Sequence, residues 1–217
     1  VNWRFPSETI AYILSDCDAK FIFVDEIRRD AVPDSFPMVQ FGTDFETFLD
    51  PGPFDIVNCD QDDIAMFLYT SGSTGRPKGV PLSHYGHLWV IAMRSKGGDI
   101  ASHRLLVAAP LYHMNALAIA KAALLGHSTI ILLPQFTADG YVKAIEQFQC
   151  TWLTSVPTMM ALVTKDTALI EAANVSSVKI VRMGSAPATQ RLFNDIRKAF
   201  PGAAISYGYG TTEAGPV

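Results

Sequence analysis

Five short apolar runs punctuate the second half of the chain, at 105–109, 129–133, 152–156, 178–183 and 203–207. Helical patterns separate them, at 115–125, at 138–148, from Pro157 onward, and in a stretch that places Leu192, Ile196 and Phe200 on one face. Strand-length runs alternating with helices predict an α/β fold of mainly parallel sheets covered by helices. The first half carries the pattern more loosely. Ser7 is a candidate N-cap for a helix with Ile10, Ile13 and Leu14 on one face. Residues 20–24 and 65–69 read as buried strands, and Ser83 as the cap of a helix running to about Ile100. From 33 to 63 the pattern fades into connection, with a turn at Asp50-Pro51-Gly52-Pro53 and a subdomain junction expected near 50–63.

At 217 residues, 49% of them hydrophobic and 18% charged, the chain suits one large domain or two modest ones with a real core. A net charge of -4 argues against a nucleic-acid partner. Cys17, Cys59 and Cys150 are scattered and odd in number, which predicts a reduced cytoplasmic setting. Nothing reads as a signal peptide, and the longest apolar stretch, 105–133, is broken by Pro110, His113, Asn115, Lys121, Gly126 and His127. A bilayer span needs ~20 mostly apolar residues in one helix, so no membrane span is expected.

The chemistry concentrates first in Tyr69-Thr70-Ser71-Gly72-Ser73-Thr74-Gly75-Arg76-Pro77-Lys78-Gly79. A strand runs into hydroxyls, glycines and a lysine. Glycines let successive N–H groups converge on an anion, hydroxyls add donors, and Lys78 brings a mobile charge. A Walker A loop is excluded, because Pro77 precedes Lys78 and Gly79 follows it. A solvated turn is the bland alternative for such a composition.

This string resembles the phosphate loop of the adenylate-forming superfamily, which includes acyl-CoA synthetases, nonribosomal adenylation domains and firefly-type luciferases. The resemblance extends along the whole chain and is nearest to the acyl-CoA synthetases. It implies part of the large N-terminal domain of such an enzyme, with Thr70, Ser71, Gly72, Ser73, Thr74, Gly75 and Lys78 holding the β- and γ-phosphates of ATP. It also implies a small C-terminal lid domain with a second essential lysine beyond these residues, so the 217 residues alone are expected to be inactive.

A second anchor is Tyr207-Gly208-Tyr209-Gly210-Thr211-Thr212-Glu213, following the last apolar run. Glu213 stands where a dinucleotide fingerprint needs its third glycine, so a Rossmann site is disfavoured. An aromatic ring can stack on adenine, a hydroxyl can meet a phosphate, and a carboxylate suits magnesium. The resemblance assigns these parts to Tyr209, Thr212 and Glu213 as Mg2+ ligand, with Tyr207 and Gly208 in the same motif. It places Gly184, Ser185, Ala186 and Pro187 beside the adenine and the acyl group, and His113 at the carboxylate. A lone histidine in an apolar stretch is otherwise more often a packed one. His113 need not act as a base, because a carboxylate is already ionised at neutral pH.

The implied reaction joins a small-molecule carboxylic acid to coenzyme A through an acyl-AMP, as in fatty acid metabolism. An acyl-AMP ligase, an amino-acid adenylation domain and a non-catalytic nucleotide-binding module stand as alternatives, and the oligomeric state stays open. A buried ammonium needs a carboxylate partner, and between Leu105 and Met160 the only acids are Asp139 and Glu146, in a surface helix. An apolar or neutral acid is therefore expected rather than an amino acid.

Overall fold

Residues 1–70, 75–95 and 99–214 are described by the structure, a computed structural model. The chain divides into two compact units, Val1–His84 and Tyr85–Val217.

In the first unit, α1 (Ser7–Asp16) buries Ile10, Ile13 and Leu14. Pro6, not Ser7, holds the N-cap position, and no side chain caps the helix. A proline costs little there, since its missing N–H would have been unpaired anyway. Strand β1 (Ile22–Val24) pairs in parallel with β2 (Met38–Gln40). The second strand lies in the stretch read as connection; three residues are too few to show a period.

The expectation of a buried strand at 20–24 is corrected, because Phe21 and Phe23 are exposed while Val24 is buried. Val24 joins Ile10, Leu14 and Val32 in a small core. On the opposite face Phe23 meets Phe41, Phe45 and Phe48, the last two from the single helical turn α2 (Phe45–Phe48). A two-stranded sheet has too little cover to bury both faces, and period 2 sends alternate side chains outward.

Strand β3 (Ile64–Thr70) and β4 (Lys78–Ser83) form an antiparallel hairpin with Thr70 opposite Lys78. The sequence reading missed β4, whose Gly79 and Pro81 carry no strand signal. Within β3 only Leu68 is buried, so this strand too is less covered than its apolar run suggested.

Helix α3 (His84–Ser95) follows directly, and Ile100 falls in a separate 3-10 turn, Ile100–Ser102. Gly97 and Gly98, poor helix formers, stand between them in the sequence.

The second unit is the predicted alternation. Its elements are β5 (Arg104–Val107), α4 (Met114–Leu125), β6 (Thr129–Leu132), α5 (Ala138–Phe148), β7 (Trp152–Ser155), α6 (Pro157–Lys165), α7 (Thr167–Ala172), β8 (Ile180–Met183), α8 (Gln190–Ala199) and β9 (Ala204–Tyr207). All pairings are parallel, in the order β6-β5-β7-β8-β9. Pro157 opens α6 as its shape favours. Thr137 and Thr189 cap α5 and α8 by accepting from Gly140 N and Leu192 N.

Alternation along β5 sends Leu106 into the larger core, with Tyr141, Ile145, Leu153, Met160, Val181 and Ile196. Leu105 and Val107 point the other way, against Ala116, Ile119 and Ala123 of α4. Both faces of the sheet are therefore covered there, which explains why the strand shows no polar alternation. No helix among the described residues is long and apolar enough to cross a membrane.

His87 on α3 is an anomaly in this packing. It is 4% exposed, and neither ring nitrogen has a hydrogen-bond partner among the described residues. Burial, helped by the charge of Lys121, holds its pKa below the ordinary imidazole value. The folded chain thus takes up a proton less readily than the unfolded one. Stability is retained above the ordinary value and lost as pH falls below it. His87→Leu is expected to raise stability by about 1 kcal/mol near neutral pH and to reduce the loss in acid. Denaturant titrations at pH 5 and pH 7.5 check this; a less stable variant at both would refute it.

Candidate active site

In an open parallel sheet, ligands bind outside the C-terminal ends of the strands, where the strand order reverses. Here the reversal lies between β5 and β7, since the chain passes from β5 to β6 on one side and then crosses to β7 on the other. The segment leaving β5 at this point carries Pro110, Tyr112 and His113. His113 stands at the N-cap position of α4, with its backbone N–H donating to Pro110 O at 3.0 Å and its carbonyl accepting from Leu117 N. Its imidazole is exposed and meets the Tyr112 ring edge-on, with centroids 4.7 Å apart. Partial loss of water holds its pKa below the ordinary value, so the ring is neutral at pH 7 and offers one N–H.

Two residues further on, Asn115 Nδ2 donates to Ser155 O at the end of β7, at 3.3 Å. Ser155 Oγ in turn donates to Arg182 O on β8, at 3.1 Å. The β5 loop, β7 and β8 are thus stitched across the reversal point.

The loops after β8 and β9 are also joined. Gly208 N donates to Met183 O at 3.0 Å, and the Tyr207 hydroxyl donates to Ala186 O at 2.7 Å. Gly184 is buried where the two loops meet; a Cβ on it would lie 3.2 Å from Gly208 O. Ser185 holds a left-handed backbone, φ 70°, a conformation that costs a non-glycine residue and that clusters at functional sites. Pro187 is exposed.

Past Gly208 the side chains are presented outward. Tyr209 is 88% exposed, so its ring is free to stack. Thr212 is half-buried, and Glu213 is exposed with no hydrogen bond or ion pair among the described residues. No cluster of three or more His, Cys, Asp or Glu exists among the described residues. A single free carboxylate fits Mg2+, which binds through one or two carboxylates together with phosphate oxygens and water. The second unit thus brings His113, the 184–187 segment and the 207–213 segment to one edge.

In the first unit, Thr70 and Lys78 pair at the loop end of the β3–β4 hairpin. Lys78 is exposed and makes no ion pair among the described residues. Gly75 holds φ 84°, a left-handed turn that glycine adopts without the steric cost of a Cβ. The neighbouring side chains anchor the hairpin to α1. Tyr69 donates its hydroxyl to Asp16 at 2.6 Å, and the Arg76 guanidinium lies 5.6 Å from the Tyr12 ring centroid. Burial and the Asp16 carboxylate hold the Tyr69 phenol protonated. Ser71, Gly72, Ser73 and Thr74 lie outside the described residues.

Sequence reasoning passed over Asn115, Ser155 and Arg182. The first two leave no signal, because their role is to bond backbone brought in by the fold. Arg182 left one, a lone cation in an apolar strand two residues before Gly184.

An open parallel sheet with glycine- and hydroxyl-bearing loops at its C-terminal edge is an α/β fold of the kind that binds ligands at that edge. The chain belongs to the AMP-binding enzyme family, which matches it over residues 1–217. Among curated relatives, 4-coumarate-CoA ligase 1 of Narcissus pseudonarcissus is 33% identical over 162 residues, covering 72% of this chain and 29% of that protein. Feruloyl-CoA synthase of an Amycolatopsis species is 38% identical over 157 residues, covering 71% of this chain and 31% of that protein. The chain thus spans under a third of the length of these relatives.

Two solved structures share its fold. The luciferase-like enzyme of the mealworm Zophobas morio superimposes with a TM-score of 0.85 at 23% identity, covering 98% of this chain and 53% of that one. A long-chain-fatty-acid-CoA ligase of Archaeoglobus fulgidus does so with a TM-score of 0.86 at 20% identity, covering 98% and 47%.

Proposed function

We propose that this chain carries the ATP- and acid-handling part of an AMP-forming acid–CoA ligase. A carboxylate oxygen of the acid attacks the α-phosphorus of ATP, the bond to the leaving pyrophosphate breaks, and an acyl-AMP forms. The thiol of CoA then attacks the acyl carbon, gives up its proton, and AMP leaves. Tyr209 stacks on adenine, beside Gly184, Ser185, Ala186 and Pro187. Thr212 donates to the α-phosphate. Lys78 and the Thr70–Gly75 loop neutralise the β- and γ-phosphates. Neutral His113 donates to the acid and sets its direction of attack. Mg2+, held by Glu213, supplies further charge neutralisation on the phosphates.

The observation that carries this reading is the edge of the second unit, where the loops after β8 and β9 are tied together while Tyr209 and Glu213 have no hydrogen-bond partner among the described residues. Backbone bonds preorganise the loops, and preorganised donors are what phosphoryl chemistry needs. The ligase and synthase names of the two relatives support CoA as the acceptor.

The acid has an apolar body, fatty or aryl, and no ammonium. Asp139 is exposed and paired with Lys143 at 2.9 Å, and the exposed Glu146 accepts from Asn174 N at 3.0 Å, so neither is available to an amine. The aryl acids in the relatives' names fit this chemistry.

Acid-dependent exchange of pyrophosphate into ATP, followed by CoA-dependent release of AMP, tests the reading on the intact protein. Nucleotide binding without exchange would make it a binding module. Exchange with no effect of CoA would make it an acyl-AMP ligase.

A further inference from the structure

Arg182 is a charged side chain that the roles above do not use. It lies within β8, flanked by buried Val181 and Met183, and is itself half-buried. Its carbonyl accepts from Ser155, but its guanidinium has no hydrogen bond or ion pair among the described residues. Burial pulls its pKa down, and no carboxylate among the described residues offsets that cost. The group stays charged regardless, since arginine does not lose its proton in proteins. An unpaired, partly desolvated cation carries a cost that an anion would offset.

Its place narrows the anion. Nη2 lies 3.6 Å from where a Cβ on Gly208 would sit, so the guanidinium reaches the C-terminal edge of the sheet beside the 207–213 segment. Register puts Thr154 and Ser206 on either side of Arg182. The run from Asn115 through Ser155 to Arg182 ties this strand to the loop that carries His113. The stretch from Leu105 to Met160 adds no acid that could neutralise Arg182, since Asp139 and Glu146 are engaged elsewhere.

We propose that Arg182 binds a second carboxylate at the far end of the acid substrate, so that the preferred substrate is a dicarboxylic acid with an apolar body. The proposal rests on the ligase reading above and replaces the neutral far end expected from the sequence. The acid's reacting carboxylate sits at His113, and its tail runs along the stitched strand ends. The planar guanidinium meets the distal carboxylate with two parallel N–H donors. A nucleotide phosphate offers the same oxyanion chemistry, and the test separates the two sources.

The test measures kcat/KM of the intact protein for linear and aryl monoacids beside diacids of the same length, in the wild type and in Arg182→Leu and Arg182→Lys. Wild type is expected to favour the diacid of best-fitting length by at least about tenfold. Arg182→Leu removes or reverses that preference, Arg182→Lys keeps part of it, and the KM for ATP is unchanged. If Arg182→Leu does not fold, the wild-type preference and Arg182→Lys decide. A wild type that favours monoacids overturns the proposal and leaves the ligase reading standing. So does a variant that raises the KM for ATP equally with every acid, which would assign the guanidinium to a phosphate. Absence of any acid-dependent exchange overturns both.

Discussion

Lys78→Ala in the intact protein is expected to slow acyl-adenylate formation by about 100-fold, the usual consequence of removing one preorganised group from developing charge. In the proposed reaction pyrophosphate leaves as a polyanion, and Lys78 stands exposed at the loop end of the hairpin, opposite Thr70, with no carboxylate pairing it among the described residues. The substitution should leave the fold intact. The hairpin is held by its backbone pairing and by the bond from Tyr69 to Asp16, and the lysine side chain serves neither. Lys78→Arg should recover part of the rate, because the charge returns with a different reach. Pyrophosphate exchange at saturating acid reads the effect, with a denaturation curve alongside. Unchanged exchange in Lys78→Ala would remove this residue from the chemistry.

Glu213→Gln should raise the Mg2+ concentration needed for half-maximal exchange by about tenfold or more. The amide keeps the shape of the side chain and loses the charge that a hard cation prefers. Glu213 is exposed and has no partner within the described fold, so its carboxylate supports nothing else that the substitution could disturb. Binding of ATP without metal should therefore be the same in both proteins. Calorimetric titrations of ATP with and without Mg2+ separate the two effects. Overlapping Mg2+ curves would show that the metal is held by other groups.

The β-α alternation of the second unit was legible because each element there is long or strongly patterned. The helix read at 138–148 is α5 residue for residue, four of the five apolar runs became strands trimmed by one or two residues, and the run at 105–109 became a strand shifted to 104–107. Weaker elements escaped. Strand β2 has three residues, and β4 contains a glycine and a proline, so neither carries a period to be read. Strand β1 was found but placed on the wrong side of the burial line, since apolar composition does not tell whether a second layer covers it.

The sequence by itself determined the alternation of elements, the ordered strings at 69–79, 184–187 and 207–213, and the presence of only two acids, Asp139 and Glu146, between Leu105 and Met160. These are local facts, carried by neighbouring residues whose spacing and chemistry are visible without a fold. Only the tertiary structure decided the order β6-β5-β7-β8-β9, the bonds that join Gly208 to Met183 and Tyr207 to Ala186, and the lack of a partner for the Arg182 charge among the described residues. Each depends on which distant segments meet. Pairing is a contest among alternative contacts over the whole chain, and a side chain's partners, or their lack, exist only once that contest is settled.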